Sequence, residues 1–382
     1  MKYATGLWNY YNTGEYDPEV MAKDFADLGF NLVMSCEYDP EKHDKAEFLR
    51  HLDLLSERNM KVIVCDARAR WTRLTERGEE EFINGMNAAA ADFAAHPAVY
   101  GFHVGDEPGA KQMPDMIKAY KLVKAAAPHL HPFVNFLPIW KEPNFKEWLG
   151  VEPEKYGELL DKVVKEAGIE MLCYDYYGQC AYFDRDEYTE LYFENLRVFG
   201  DVARKNGIPF FTTLLSVGHW SLRPPTEDDI RWQISTATAA GVTGILWFFV
   251  YERNRPDGSF RVPPIDLFNE RTETFGWLSR ENRTFMKFFA PALEDYNYVK
   301  TYAVGREYGG FPVFKPGDEG IDKIEFIITP EAPTLLAVFA GEKGKRFMLV
   351  NGHRELPVKI KVSCEKDGFT DWLAPGQLKI FD

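Results

Sequence analysis

Two adjacent carboxylates close the run Val99-Tyr-Gly-Phe-His-Val-Gly-Asp-Glu-Pro108. Its β-branched and aromatic residues read as a strand, and Pro108 cannot continue a ladder. Asp106 and Glu107 therefore fall at the C-terminal lip of a strand, where a barrel or open α/β sheet presents its reactive groups. A carboxyl held there against apolar walls or a second acid keeps its proton into the neutral range and can act as a general acid. The plainer alternative is an acid that caps the following helix. Gly101 and Gly105, poor strand formers, mark close backbone packing or approach to a ligand.

The ends of the other apolar runs carry similar groups: Trp8, Asn9 and Tyr10; Glu37 and Asp39; Asp66, Arg68 and Arg70; Asn135; Asp175, Tyr176 and Tyr177; His219 and Trp220; Trp247, Tyr251 and Glu252. One rim thus gathers acids and large rings. Sugars suit such a rim, because their C–H faces pack on rings while their hydroxyls need carboxylate, amide and Arg partners. Cleaving a glycosidic bond needs one protonated carboxyl and a second carboxylate across the sugar ring. Glu107 and Asp175 are the candidate pair, with Glu252 and Glu37 as weaker choices for the second acid. Candidate substrate contacts are Trp8, Asn9, Glu37, Asp66, Arg68, Asp106, Asn135, Tyr176, Tyr177, His219, Trp220, Trp247 and Glu252. His103, mid-strand, reads as a core or supporting histidine rather than a catalyst. Arg68, Arg70 and Arg223 could hold an acidic sugar, though neighbouring rim acids are the commoner partners. The absence of a CxxC pair gives no reason to expect a metal, and no cofactor is expected.

Eight strand-then-helix units supply that rim. Apolar, non-alternating strands begin near residues 3, 31, 61, 99, 132, 171, 209 and 244, and each is followed by a helix pattern. Asp17-Pro18 starts the first helix, and Thr226 with Asp229 forms a capping box for the one before strand eight. Parallel strands covered on both faces and closed in about 290 residues predict an α/β (β/α)8 TIM barrel. No G-x-G-x-x-G follows the first strand, so a dinucleotide fold lacks its fingerprint. After Tyr296 five short alternating runs with turn clusters predict a small antiparallel β-sandwich, one face polar and one packed. The expected division is a barrel over 1–295 and a sandwich over 296–382, packed together. Arg253 to Glu270, with four Pro or Gly, is a long connection able to wall off one end of the cleft.

The net charge of −14 argues against nucleic acid, whose phosphates demand a basic surface. Aromatic residues make up 15% of the chain, which suits both a core and a ring-lined pocket. Five cysteines, scattered and odd in number, form no disulfide framework. No apolar stretch is long enough for a membrane span and no signal-peptide core precedes the first strand, so the expected location is cytoplasmic, or exported after loss of a leader. A carbohydrate is the expected partner, and a homo-oligomer is compatible with the sequence.

Gly101-Phe-His-Val-Gly-Asp-Glu-Pro108 resembles the fourth-strand acid/base motif of clan A glycoside hydrolases, in which Asn-Glu-Pro is usual. Arg223 to Gln233, leading to Ala239-Ala-Gly-Val-Thr-Gly-Ile-Leu-Trp-Phe-Phe249, looks like the seventh-to-eighth unit of β-galactosidase-like bacterial glycosidases. Leu373 to Phe381 resembles the last strand of the β-domain that such enzymes often carry. The resemblance implies that Glu107 is the general acid/base and that Asp106 stands where the family has Asn. It departs at strand seven: that clan ends the strand on a nucleophilic Glu, whereas Thr212-Thr-Leu-Leu-Ser-Val-Gly-His-Trp220 holds no carboxylate. Glu227 comes too late, in a helix's first turn. The expectation is a glycoside hydrolase working through Glu107 and Asp175. An inverting mechanism follows if the two lie farther apart than roughly 5–5.5 Å. The alternatives are a silent carbohydrate-binding barrel, or a lyase or isomerase that uses Glu107 as base.

Overall fold

The computed structural model describes residues 2–141, 143–182, 185–252, 260–364 and 368–382. Eight parallel strands form one sheet: β1 (Ala4–Leu7), β2 (Leu32–Tyr38), β3 (Lys61–Asp66), β4 (Val99–Asp106), β5 (Phe133–Phe136), β6 (Leu172–Asp175), β7 (Phe210–Leu215) and β8 (Gly244–Phe248). Their hydrogen-bonded order, β1-β8-β7-β6-β5-β4-β3-β2, is that of the expected barrel. At the seam between β1 and β2 the Asn31 amide replaces a ladder. Its Oδ1 accepts from the Thr5 N–H at 2.8 Å and its Nδ2 donates to the Tyr3 carbonyl at 3.1 Å.

The strands are largely apolar because helices cover the outside and side chains fill the interior. Asp17 caps the helix Pro18–Asp27, and Thr226 and Asp229 close their capping box on the helix Glu227–Ala239, both as the sequence predicts. The helix Trp71–Arg77 was not predicted; it packs Trp71 over Gly105, where an added Cβ would lie 2.1 Å from the indole. β1 ends at Leu7 and not at Tyr10, so Trp8 to Tyr10 leave the ladder at the barrel mouth.

Gly101 is explained by packing and not by a ligand, since a Cβ there would lie 1.7 Å from the His131 carbonyl oxygen. Backbone on both sides cannot yield, so Gly101→Ala is expected to destabilise the fold by about 3 kcal/mol, the top of the overpacking range. Urea midpoints at unchanged slope would measure this, and an unchanged midpoint would show that the barrel wall relaxes freely.

The C-terminal strands are β9 (Asn297–Val304), β10 (Ile321–Ile328), β11 (Thr334–Gly341), β12 (Gly344–Asn351), β13 (Val358–Cys364), β14 (Phe369–Leu373) and β15 (Leu378–Phe381). They form two antiparallel sheets, β15-β12-β11-β9 and β10-β13-β14. β9 and β14 were not among the five predicted runs. The expected polar outer face is also corrected for the four-stranded sheet. In β11, Leu336 and Val338 fill the space between the sheets, while Leu335, Ala337 and Phe339 join the barrel's core. That second face packs on Glu227–Ala239, where Trp232 Nε1 donates to the Gly352 carbonyl at 2.8 Å. No helix among the described residues is long and apolar enough to cross a membrane.

Candidate active site

A cleft of about 220 Å³ opens at the C-terminal ends of the barrel strands. Trp8 and Tyr10 enter it after β1, Asp106 and Glu107 from the end of β4, Asn135 from β5, and Asp175 and Tyr177 from the end of β6. His219, Trp220 and Leu222 come from the loop after β7, and Phe248 from the last position of β8. A larger hollow of about 380 Å³ lies where the sandwich meets the barrel helices, but its acids Glu227 and Glu281 are paired with Arg280 and Arg231.

Strand register assembles the acidic side. Asn135 pairs with Asp106 on β4 and with Cys173 on β6, and so sits between the two strands that carry the acids. Its Nδ2 donates to Asp175 Oδ1 at 2.7 Å and to Asp106 Oδ1 at 3.1 Å. The Tyr177 hydroxyl and the Glu107 carboxyl also hydrogen-bond to Asp175. Three donors converging on one carboxyl favour its ionised form, whereas Glu107, which donates, holds the proton. Two lining residues have strained backbones: Glu107 has φ +46° and Trp220 has φ +46°, a region that non-glycine residues seldom adopt.

The carboxyls titrate late. Burial first, and then the charge of Asp175, push Asp106 up to about 7. Desolvation and then the facing Asp175 and Asp106 carboxylates hold Glu107 well above the ordinary carboxyl range. Glu107 is itself exposed at the cleft mouth, where water weakens both causes, and the upward direction is what stands. Asp175 is raised by burial against the pull of its hydrogen bonds from Asn135, Tyr177 and Glu107. Arg70, the nearby cation, is already in contact with Glu37.

A raised carboxyl lowers stability with rising pH: between its unfolded and folded pKa values the native state binds more protons, and that advantage is lost as pH climbs. Asp106→Asn removes this cost and keeps an acceptor for Asn135. It is expected to raise Tm by a few degrees at pH 7.5 and by little at pH 4, in paired calorimetric scans. Equal gains at both values would mean that packing, not titration, is responsible.

The opposite wall is aromatic. Tyr177 stacks on Phe248 with ring centres 5.4 Å apart, and Trp8 meets Tyr10 edge-on at 6.2 Å. His219 lies between Trp220, at 4.1 Å, and Phe260, at 5.0 Å. Trp220 is 67% exposed, a ring offered at the rim. Phe260 and Arg261 belong to the long connection after β8, with Arg261 Nη2 donating to the carbonyls of Trp220 and Leu222 at 3.0 and 2.7 Å. Of the connection Arg253 to Glu270 that was expected to wall off one end of the cleft, residues 253–259 lie outside the described residues.

Seven expected contacts are placed elsewhere. Asn9 turns to β2, where its Nδ2 reaches the Met34 carbonyl and its Oδ1 accepts from the Tyr11 N–H. Asp66 is fully buried on Arg68 at 2.7 Å, and Arg68 also holds Asp92 at 2.9 Å, the rim-acid pairing weighed from the sequence. Glu37 is taken by Arg70, and Glu252 is not among the cleft's lining residues. Tyr176 and Trp247 point the wrong way for a reason of register. Successive residues at a strand end face opposite sides, so Asp175 and Tyr177 enter the cleft while Tyr176 packs outward toward the helix Arg185–Asn206. Likewise Phe248 faces in, while Trp247 turns out and donates from Nε1 to Asn282 Oδ1 at 3.1 Å. Phe248 and Leu222 are the lining residues that sequence reasoning missed. Alternation along Gly244-Ile-Leu-Trp-Phe248 held the signal for the first, and nothing in the loop signalled the second.

Below the cleft His103 touches Trp8 edge-on at 5.1 Å, and its Nε2 lies 3.0 Å from the Gly105 carbonyl. Burial and then the Arg70 charge keep it neutral, which fits the supporting role. Ligand atoms of His103, Cys65 and Glu37 lie within 4.8 Å of one another, the kind of cluster not apparent in the sequence. Their chemistry fits a metal poorly. Arg70 already occupies Glu37, and burial followed by the Glu37 charge keeps the Cys65 thiol protonated.

The strand order and the paired sheets make this chain a (β/α)8 barrel followed by a β-sandwich, and its fold is similar to that of solved glycoside hydrolases. It is similar to the β-galactosidase of the psychrophile Marinomonas ef1, at 12% identity and TM-score 0.58, covering 76% of this chain and 60% of that one. It is similar also to the cold-adapted β-galactosidase of Rahnella sp. R3, at 12% identity and TM-score 0.59, covering 81% and 59%. A putative α-L-fucosidase of Bacteroides thetaiotaomicron matches at 14% identity and TM-score 0.53, covering 75% and 93%. The chain thus spans about three-fifths of the length of the two galactosidases. No protein-family model matches the chain, and no curated protein matches its sequence.

Proposed function

We propose that the protein is a glycoside hydrolase in which Glu107 protonates the departing glycosidic oxygen and Asp175 is the ionised carboxylate beside it. The observation that carries this reading is the hydrogen bond from Glu107 to an Asp175 already held by Asn135 and Tyr177. It provides a carboxylic acid that is still protonated at neutral pH, at the place where a barrel performs its chemistry. The aromatic wall of Trp8, Tyr10, Tyr177, Trp220 and Phe248 supplies the apolar face a pyranose needs. The likeness in fold to solved glycosidases supports the same assignment.

The test is a panel of aryl β- and α-glycosides and oligosaccharides, with product anomers followed by proton NMR in normal and oxygen-18 water. Turnover with label in the reducing product is the expected result. Turnover without label would move the assignment to a lyase or isomerase. Sugar binding without turnover would make this a silent carbohydrate-binding barrel.

A further inference from the structure

Tyr177 lines the cleft, stacked on Phe248 with ring centres 5.4 Å apart, yet no strand ladder fixes it. β6 ends at Asp175, so Tyr177 lies on the connection beyond it, and the short turn Gly178–Cys180 follows at once. A ring that must meet a sugar face reproducibly needs such a turn to be held from outside. Gln179, in the middle of the turn and 1% exposed, is held from two sides. Its Nε2 donates to Gln233 Oε1 at 2.9 Å, and its carbonyl accepts from Arg354 Nη1 at 2.5 Å. The first partner belongs to the barrel and the second to the sandwich.

Both partners are themselves fixed. Gln233 is fully buried on the helix Glu227–Ala239, and its amide pairs with the end of β7: it accepts from the Leu215 N–H and donates to the Leu215 carbonyl, each at 2.9 Å. Arg354 stands on the loop between β12 and β13, which the buried Asn351 braces. Asn351 Nδ2 donates to the Leu356 and Leu373 carbonyls at 2.9 and 3.0 Å, and its Oδ1 accepts from the His353 N–H at 2.9 Å. The turn passes this hold on. The Tyr177 carbonyl accepts from the Cys180 N–H at 2.9 Å, and the Cys180 carbonyl accepts from the Arg223 N–H at 2.9 Å. The second bond ties the turn to the loop that brings His219, Trp220 and Leu222 to the cleft.

Resting on the hydrolase reading, we propose that Arg354 is a positioning residue for the reaction: from the sandwich it holds the turn that sets Tyr177, so the second domain completes the cleft. The two holds on Gln179 differ in kind. The side chain reaches Gln233 through several rotatable bonds and so leaves the turn some play, whereas the guanidinium on the carbonyl fixes the peptide plane itself. An ionised donor also makes the stronger hydrogen bond. Without Arg354 the turn is held through the Gln179 side chain alone, and the Tyr177 ring shifts on Phe248 against the bound sugar. A displacement of about 1 Å, arising away from the reacting bond, costs up to roughly a hundredfold in rate.

The experiment labels the full chain with 3-fluorotyrosine and follows the Tyr177 resonance by fluorine NMR, assigned by its absence in Tyr177→Phe. Arg354→Met removes the donor and Arg354→Gln is too short to reach the Gln179 carbonyl, while Arg354→Lys keeps a charged donor. Arg354 is half-buried on an outer loop, so these variants fold, and one folded truncation suffices for the comparison. Turnover is measured on the best glycoside of the panel above. In both truncations the Tyr177 resonance is expected to move or broaden and kcat/KM to fall about tenfold, and Arg354→Lys is expected to restore much of both. A Tyr177 resonance that stays in place, an unchanged kcat/KM, or a lysine variant no better than methionine overturns the proposal and leaves the hydrolase reading standing. A lower Tm with resonance and kcat/KM unmoved marks a merely structural clamp and overturns it too. Absence of turnover by the native chain overturns both.

Discussion

Glu107→Gln is expected to lower kcat on the best available glycoside by about 10²–10⁴-fold, the usual contribution of a positioned general acid. The amide keeps the length of the side chain and can still donate to Asp175, so the cleft retains its shape, but it has no proton to give. The loss should depend on the leaving group. A 2,4-dinitrophenolate departs without help and should show little deficit, while an alkyl aglycone should show the whole of it. The pH profile carries the sign of the same argument. Burial and the charges of Asp175 and Asp106 raise the Glu107 pKa, so its acid form persists at neutral pH and native activity falls on the alkaline side as that proton is lost. The variant should lose this limb. Equal losses on all aglycones with an unchanged alkaline limb would show that Glu107 is not the proton donor.

Why Glu107 was legible in the sequence, and Phe248 was not, is a matter of which constraint leaves a local trace. A strand that ends on Asp-Glu-Pro announces its own terminus, because Pro108 forbids another ladder hydrogen bond and the preceding acids must lie at the lip. The eight units were legible from a similar local trace, an apolar run followed by a helix pattern, with side-chain caps at helices such as Pro18–Asp27 and Glu227–Ala239. What faces inward at a strand end depends on register, and register belongs to the closed barrel. Asp175, Tyr176 and Tyr177 are equally plausible one by one; closure sends the first and third into the cleft and the second out. Arg70 shows the other blind spot. Its acid, Glu37, stands on the neighbouring unit, and proximity across units has no sequence signature. The sandwich's second apolar face was hidden likewise, since β11 is continuous in hydrophobicity only because the barrel helix Glu227–Ala239 covers what would otherwise be its wet side.

Asp175→Asn should lower kcat by about 10²–10³-fold, in the range found when one preorganised electrostatic partner is removed from a developing charge. Asparagine can accept from the Tyr177 hydroxyl as aspartate does, so the deficit measures charge rather than shape. A second readout separates this role from a structural one. The Asp175 carboxylate is among the causes that raise Glu107, and its hydrogen bond with Glu107 acts in the same direction. Removing the charge takes away that support, so Glu107 should ionise earlier and the alkaline limb of the rate profile should move to lower pH. At acid pH the variant should also lose the limb that reports Asp175 accepting a proton, leaving a profile with one inflection in place of two. A substitution that merely loosened the cleft would raise KM and leave both limbs where they were. Only a charge placed against both the acid and the developing cation shifts the alkaline limb, removes the acid limb and lowers kcat together.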